Sequence, residues 1–138
     1  MAAFLASLPA YAKYDGGSGE PNDPYQIATA ENMILLGEST EDYDKHFILT
    51  ADIDLDPNLP EGQVFDHAVI PKFSGTFDGS GFIISNLTIA GDSDLGLFGK
   101  IKEGAQINHL NIVDASVVGS GERIGILSGS NGDRSRRG

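Results

Sequence analysis

The chain is 138 residues long, enough for one domain with its own core and short for two; having no cysteine, it must be held by packing and backbone pairing rather than by disulfides or thiolate-bound metal. Nine basic against twenty acidic residues give a net charge of −11, and since Arg134, Arg136 and Arg137 crowd the last five positions, the stretch up to Asp133 stands at −14 (6 basic against 20 acidic). Such a field repels phosphate backbones and anionic lipid, which excludes nucleic acid and acidic membrane surfaces as general partners and leaves calcium and neutral glycans as suitable ones.

Eighteen glycines and no tryptophan mark a turn-rich all-β chain. Residues 1–12, MAAFLASLPAYA, are apolar and end in a small-x-small pattern at Ala10-Tyr11-Ala12, which reads as the back end of a secretory signal. The run is too short to span a bilayer, which needs about 20 apolar residues. Lys13–Pro24 is dense in glycine and proline and reads as a surface loop, and Tyr25–Ile27 as a brief strand. Thr29 is placed to N-cap a helix over residues 30–36, with Glu31 in its first turn, Met33, Ile34 and Leu36 on its apolar side and Gly37 at its end. From His46 the pattern alternates: Phe47, Leu49, Ala51, Ile53 and Leu55 against His46, Thr50, Asp52, Asp54 and Asp56, a ten-residue strand buried on one side. Pro57 and Pro60 end it, and Ala68–Ile70 forms a short strand stopped at Pro71.

Phe73–Ile89, FSGTFDGSGFIISNLTI, is the best-formed unit: two apolar runs around a glycine turn at Asp78–Gly81, with Phe77, Ile84, Leu87 and Ile89 inward and positive φ expected at Gly79 and Gly81. A looser version follows as LGLFGKIKEGAQINHLNI, and Leu95–Gly99 and Ile124–Gly129 repeat one step. A strand–turn–strand unit recurring every 20–30 residues or so is the mark of a stacked solenoid. Counting 23 residues from Leu87 to Leu110 sets His109 opposite the corner residue Asn86. After Gly132 the pattern stops inside a repeat, and residues 133–138 read as a disordered or vector-derived tail.

The run from Tyr14 to Gly132, 119 of 138 residues, resembles the GLUG-repeat proteins of bacterial cell surfaces in its GGSG…DPYQIATAENM opening, HFILTADIDL, FSGTFDGSGFIISNLTI, GLFG and IGILSG. The resemblance implies a right-handed parallel β-helix with an N-terminal cap helix, carried on large secreted or surface-attached proteins as a stalk or adhesion module, and it transfers no catalytic residues. Two departures stand out. His109 replaces the usual asparagine, and the chain ends after roughly two such units, which leads us to expect a fragment of a longer protein.

Candidate chemistry rests on carboxylates. Asp52, Asp54 and Asp56 should project from one strand face about 7 Å apart, an oxygen-only set that suits calcium if Asn58 completes the shell; the plainer reading is a solvated acidic face that discourages edge pairing. Glu20, Asn22 and Asp23 form a similar loop cluster. Hydrolysis needs two carboxylates about 5–10 Å apart; Asp66, Asp78, Asp92 and Asp94 sit in turns and could meet across rungs, although glycine-flanked aspartates are mostly turn formers. A lyase would draw its base from Lys72, Lys100, Lys102 or Arg123. His46, His67 and His109 lack ligand spacing, and no nucleophile elbow or phosphate loop occurs.

The expectation is therefore an all-β protein, a short right-handed parallel β-helix with a capping α-helix, its single domain over residues 13–132. Its expected role is that of a non-catalytic extracellular structural or adhesion module, secreted or at the cell surface, binding a glycan or matrix ligand along one face. The alternative is a glycoside hydrolase or lyase using Asp78, Asp66 or Asp94. No cofactor is expected beyond calcium at Asp52, Asp54 and Asp56, and neither nucleic acid binding nor membrane insertion. An uncapped C-terminal rung is expected to drive self-association into a dimer.

Overall fold

A computed structural model describes residues 13–131; the signal-like residues 1–12 and the tail 133–138 lie outside the described residues. The architecture is twelve short strands in four parallel sheets and one α-helix. In chain order the elements are β1 (Tyr25–Ile27), α1 (Ala30–Glu38), a single 3₁₀ turn (Thr40–Asp42), β2 (His46–Leu49), β3 (Ile53–Asp54), β4 (Ile70–Phe73), β5 (Thr76–Asp78), β6 (Ile83–Ser85), β7 (Thr88–Gly91), β8 (Phe98–Ile101), β9 (Gln106–Asn108), β10 (Asn111–Val113), β11 (Ser116–Gly119) and β12 (Ser128–Asn131).

The sheets run β9-β5-β2-β1, β10-β6-β3, β11-β7 and β12-β8-β4. Partners lie 22 residues apart between β1 and β2 and 28 to 31 apart in every other pairing, so the chain completes a circuit and returns alongside itself. Ile84 therefore pairs with Ile112 and Ile89 with Val117, which corrects the 23-residue offset expected from Leu87 and Leu110. At 28 residues on, Asn86 faces Asp114 and not His109. Asn86 and Asp114 share left-handed backbone, φ 59 and 54, because both stand at the same corner of successive circuits.

The ten-residue alternation from His46 is real but bends. Phe47, Leu49, Ile53 and Leu55 are all buried, yet β2 ends at Leu49 and β3 begins at Ile53. The Thr50 amide donates to Ile27 O while β3 pairs instead with β6, so the chain turns from one sheet to the next; the even step of four from Leu49 to Ile53 keeps the same side inward. Pro71 likewise does not end its strand. It lies within β4, which is the edge of its sheet, where a missing donor costs no ladder bond.

The core is a column of aromatic rings. Tyr14, Tyr25, Phe47, Phe73, Phe77 and Phe98 touch in sequence, with ring centroids 4.7 to 6.4 Å apart. Aliphatic residues Ile27, Ile53, Ile70, Ile84 and Leu97 fill the space around it, each essentially without exposure.

The helix begins as its sequence indicates: Thr29 Oγ1 accepts from the Asn32 amide, and Asn32 Oδ1 accepts from Ala28. It runs two residues past the expected end, and Gly37 lies inside it. The reason is contact, since a β-carbon at Gly37 would meet Val69 O at 1.9 Å. Glycine lets α1 pack directly on the chain entering β4, with Met33 and Leu36 fully buried. In the Asp78–Gly81 turn, positive φ falls on Ser80 and Gly81. Gly79 is required for space instead, because a β-carbon there would meet His109 O at 2.3 Å.

Candidate functional site

The expected acidic residues sit at or beside corners, and Asp52, Asp54, Asp56, Asp78 and Asp94 are each engaged by a backbone or side-chain donor. Asp52 Oδ1 accepts from the Ile83 amide of the next circuit, at 2.9 Å. Asp54 Oδ1 accepts both from the Asp56 amide and from Asn86 Nδ2, at 3.0 and 2.9 Å, so it links two circuits as well as shaping its own turn. Asp56 Oδ1 accepts from Asn58 N. The three carboxylates thus serve four different donors. Among the described residues, no group of three or more histidine and carboxylate side chains is arranged to hold a metal ion. Glu20 and Asp23 close a tight turn in which Asp23 N donates to Glu20 O.

The candidate catalytic carboxylates are spread over separate corners. Asp78 Oδ1 accepts from Ser80 N at 2.8 Å and lies 3.2 Å from His109 Nδ1 of the next circuit. Asp66 is 3.6 Å from His67 Nε2, whose ring nitrogen Nδ1 contacts Ala68 O. Asp94 is gripped by Arg123 through Nε at 2.5 Å and Nη2 at 3.2 Å, a two-point pairing across circuits. Those hydrogen bonds hold the Asp94 carboxyl below the ordinary aspartate value, which suits a standing negative charge rather than a proton donor. His46 lies on β2, so the three histidines occupy separate places.

One polar cluster has no signal in the sequence, because its members are 28 residues apart. Asp42 is 3 % exposed and receives Lys13 Nζ at 2.7 Å and the Tyr14 hydroxyl at 2.7 Å. Lys13 also reaches Glu41. Burial and the bond to Asp42 push the Tyr14 phenol well above its ordinary pKa. Burial works against the Lys13 ammonium, but the hydrogen bonds to Asp42 and Glu41 outweigh it and raise its pKa. The stretch expected as a plain surface loop is therefore a clasp. Asp15 N donates to Gln26 O and Gln26 N to Gly16 O, so the same segment also covers the outer edge of β1.

A second unforeseen feature is basic. In the pairing of β4 with β8, Lys72 stands in register with Lys100, and both are exposed. Lys102 follows two positions on. Among the described residues none of the three makes an ion pair.

A cleft of about 90 Å³ between α1 and the approach to β4, lined by Ile34, Glu38, Gln63, Phe65, His67 and Val69, is well below the roughly 300 Å³ at which small-molecule sites begin. Among the described residues no helix is long and apolar enough to cross a membrane.

No family model matches the chain, and no solved structure matches it. Among characterised proteins it is similar to Halomucin of Haloquadratum walsbyi (strain DSM 16790 / HBSQ001), with 33 % identity over 125 residues; the match takes in 84 % of this chain and spans 1 % of the length of that relative.

Proposed function

We infer that this chain is a non-catalytic structural module of an extracellular or cell-surface protein, folded as a short right-handed parallel β-helix of the kind its resemblance to GLUG-repeat proteins implies. The observation that carries this reading is how the polar residues are used. Asp52, Asp54, Asp78 and Asp94 each bind a neighbouring turn or the next circuit, so the carboxylates brace the stack and do not converge on a cleft. The likeness to Halomucin, a mucin by name, supports a place outside the cell. The preference of parallel crossovers supports the right hand.

In this role the outward sheet faces act in adhesion, binding glycan or matrix chains along the stack. The outermost circuit self-associates into a dimer, its exposed Val118, Ile126 and Leu127 supplying the contact. The test is a panel of soluble and insoluble polysaccharides, scored for retention of the folded protein and for release of reducing ends with and without calcium. Retention without release is expected. Release above a heat-killed control, abolished by Asp78→Ala, would instead establish the hydrolase or lyase reading at the Asp78–His109 corner. Light scattering across a concentration series should show dimer growing with concentration, and a monomer throughout removes the self-association.

A further inference from the structure

Like charges directly opposite each other on paired strands destabilise a sheet. The chain has 20 acidic residues, yet Lys72 and Lys100 are stacked in register at the centre of the β4–β8 pairing and, among the described residues, no carboxylate is bound to either. Asp94 feels the charge of Lys100, but that carboxylate is already held by two nitrogens of Arg123. With Lys102 two positions further on, this small face carries three of the six basic residues between positions 13 and 131. Stability does not account for such a placement, and local violations of the rules of pairing mark functional positions.

The arrangement has the form a linear anion needs. Strands in a sheet are about 4.8 Å apart and alternate residues along a strand about 6.6 Å apart, so the three ammonium groups are rooted on a flat, open surface at spacings comparable with the repeat of a polymer. The rest of the molecule is strongly acidic, but beyond about 8–10 Å at physiological salt its field is screened. A polymer lying on this face would meet the local charge.

We propose that Lys72, Lys100 and Lys102 form a subsite for an acidic polysaccharide, one bearing a carboxylate or sulfate on successive sugars. The subsite rests on the reading of the chain as a glycan-binding surface module, and it names the chemistry of the glycan. The ligand spans β4 and β8 across the strands, each anionic group meeting a lysine, as point-charge recognition by ammonium permits.

The experiment is titration of the full chain with polygalacturonate, dextran sulfate, neutral dextran and single-stranded DNA, at about 50 and 200 mM salt. Polygalacturonate or dextran sulfate should bind, weakening as salt rises, and neutral dextran should not bind at this face; the first two arms separate carboxylate from sulfate. Lys72→Ala/Lys100→Ala should weaken that binding by about tenfold or more. The same double variant should leave the melting temperature unchanged or raised, because it removes a like-charge pair. Equal binding by the double variant, equal binding of single-stranded DNA, or no binding of either acidic polymer at low salt overturns the subsite. Retention on neutral polysaccharide alone would do so while leaving the surface-module reading intact.

Discussion

At one end of the molecule, α1 lies against the edge of β4 with Met33 and Leu36 fully buried, and the segment from Lys13 to Gly17 pins itself over β1. In the last described circuit, by contrast, Ile107, Leu110, Ile112 and Val117 are only half-buried, and Val118, Ile126 and Leu127 are 62 %, 49 % and 41 % exposed. Both regions are built from the same parallel pairing, the first circuit being shorter at 22 residues than the later ones at 28 to 31. What separates them is a covering layer, and with it the aromatic column, which stops at Phe98 and is continued outward only by aliphatic residues. A stack of this kind does not have one stability. Each circuit draws its share from the neighbours above and below it, and the outermost draws from one side only.

The sharpest way to break this comparison is within one row. Phe77 pairs with Ile107 in the next circuit, and the two point inward at equivalent places. Phe77→Ala should cost about 3–5 kcal/mol in denaturant unfolding, and Ile107→Ala only about 1 kcal/mol. Equal losses would show that the last circuit is packed as tightly as the others. Next in size is the clasp. Lys13→Met strands a nearly buried carboxylate and should cost about 2 kcal/mol, and adding Asp42→Asn should recover part of it in a double-mutant cycle. Additive losses would mean that Lys13 acts independently of Asp42.

Two pH effects sharpen the contrast further. Lys13 and Tyr14 have folded pKa values raised above 10.5 and 10.0, so their contribution is complete below those values and is lost as pH climbs through the raised ones. Alkaline titration should therefore loosen the capped end first, with amide exchange accelerating at Tyr14–Ile27 before it does at Phe73–Ile89. Asp94 behaves in the opposite sense. Its folded pKa lies below 3.8, so the tie to Arg123 is present above that value and lost as pH falls through the depressed one. Because the pair is exposed, Asp94→Asn should flatten the acid limb of the stability curve only slightly, the smallest of these effects.

Much of the stack was legible because apolar residues recur on one side over short runs, although the step is not always two: Ile84 and Leu87, like Ile70 and Phe73, are three apart and all buried. Phe47 was readable as core from alternation, and Phe77, Ile84, Leu87 and Ile89 from the two apolar runs around the glycine turn; all five are buried. The offset between circuits was not, since Leu87–Leu110 and Ile84–Ile112 both match one apolar residue with another, and only backbone pairing decides between them. Gly37 misled for a related reason: glycine marks both a helix end and a close approach, and the approach of Val69 cannot be seen locally. Asp66, Asp92 and Asp94 lie in bends as expected, but period and composition could not show that Asp54 reaches Asn86 or that Asp94 meets Arg123. The clasp and the lysine stack were invisible because their members are 28 residues apart with no shared motif.

The position of the tyrosines has a consequence for how this protein can be watched. There is no tryptophan, and the three tyrosines among the described residues, Tyr14, Tyr25 and Tyr43, all belong to the clasp, the first strand and the turn after the helix. Near-ultraviolet circular dichroism and intrinsic fluorescence will therefore report on the covered end and stay silent about the open one. A melt followed by tyrosine will overstate the cooperativity of the whole, while far-ultraviolet signal will register fraying that tyrosine misses. The gap between the two curves is itself a measure of how far the outermost circuit unravels alone.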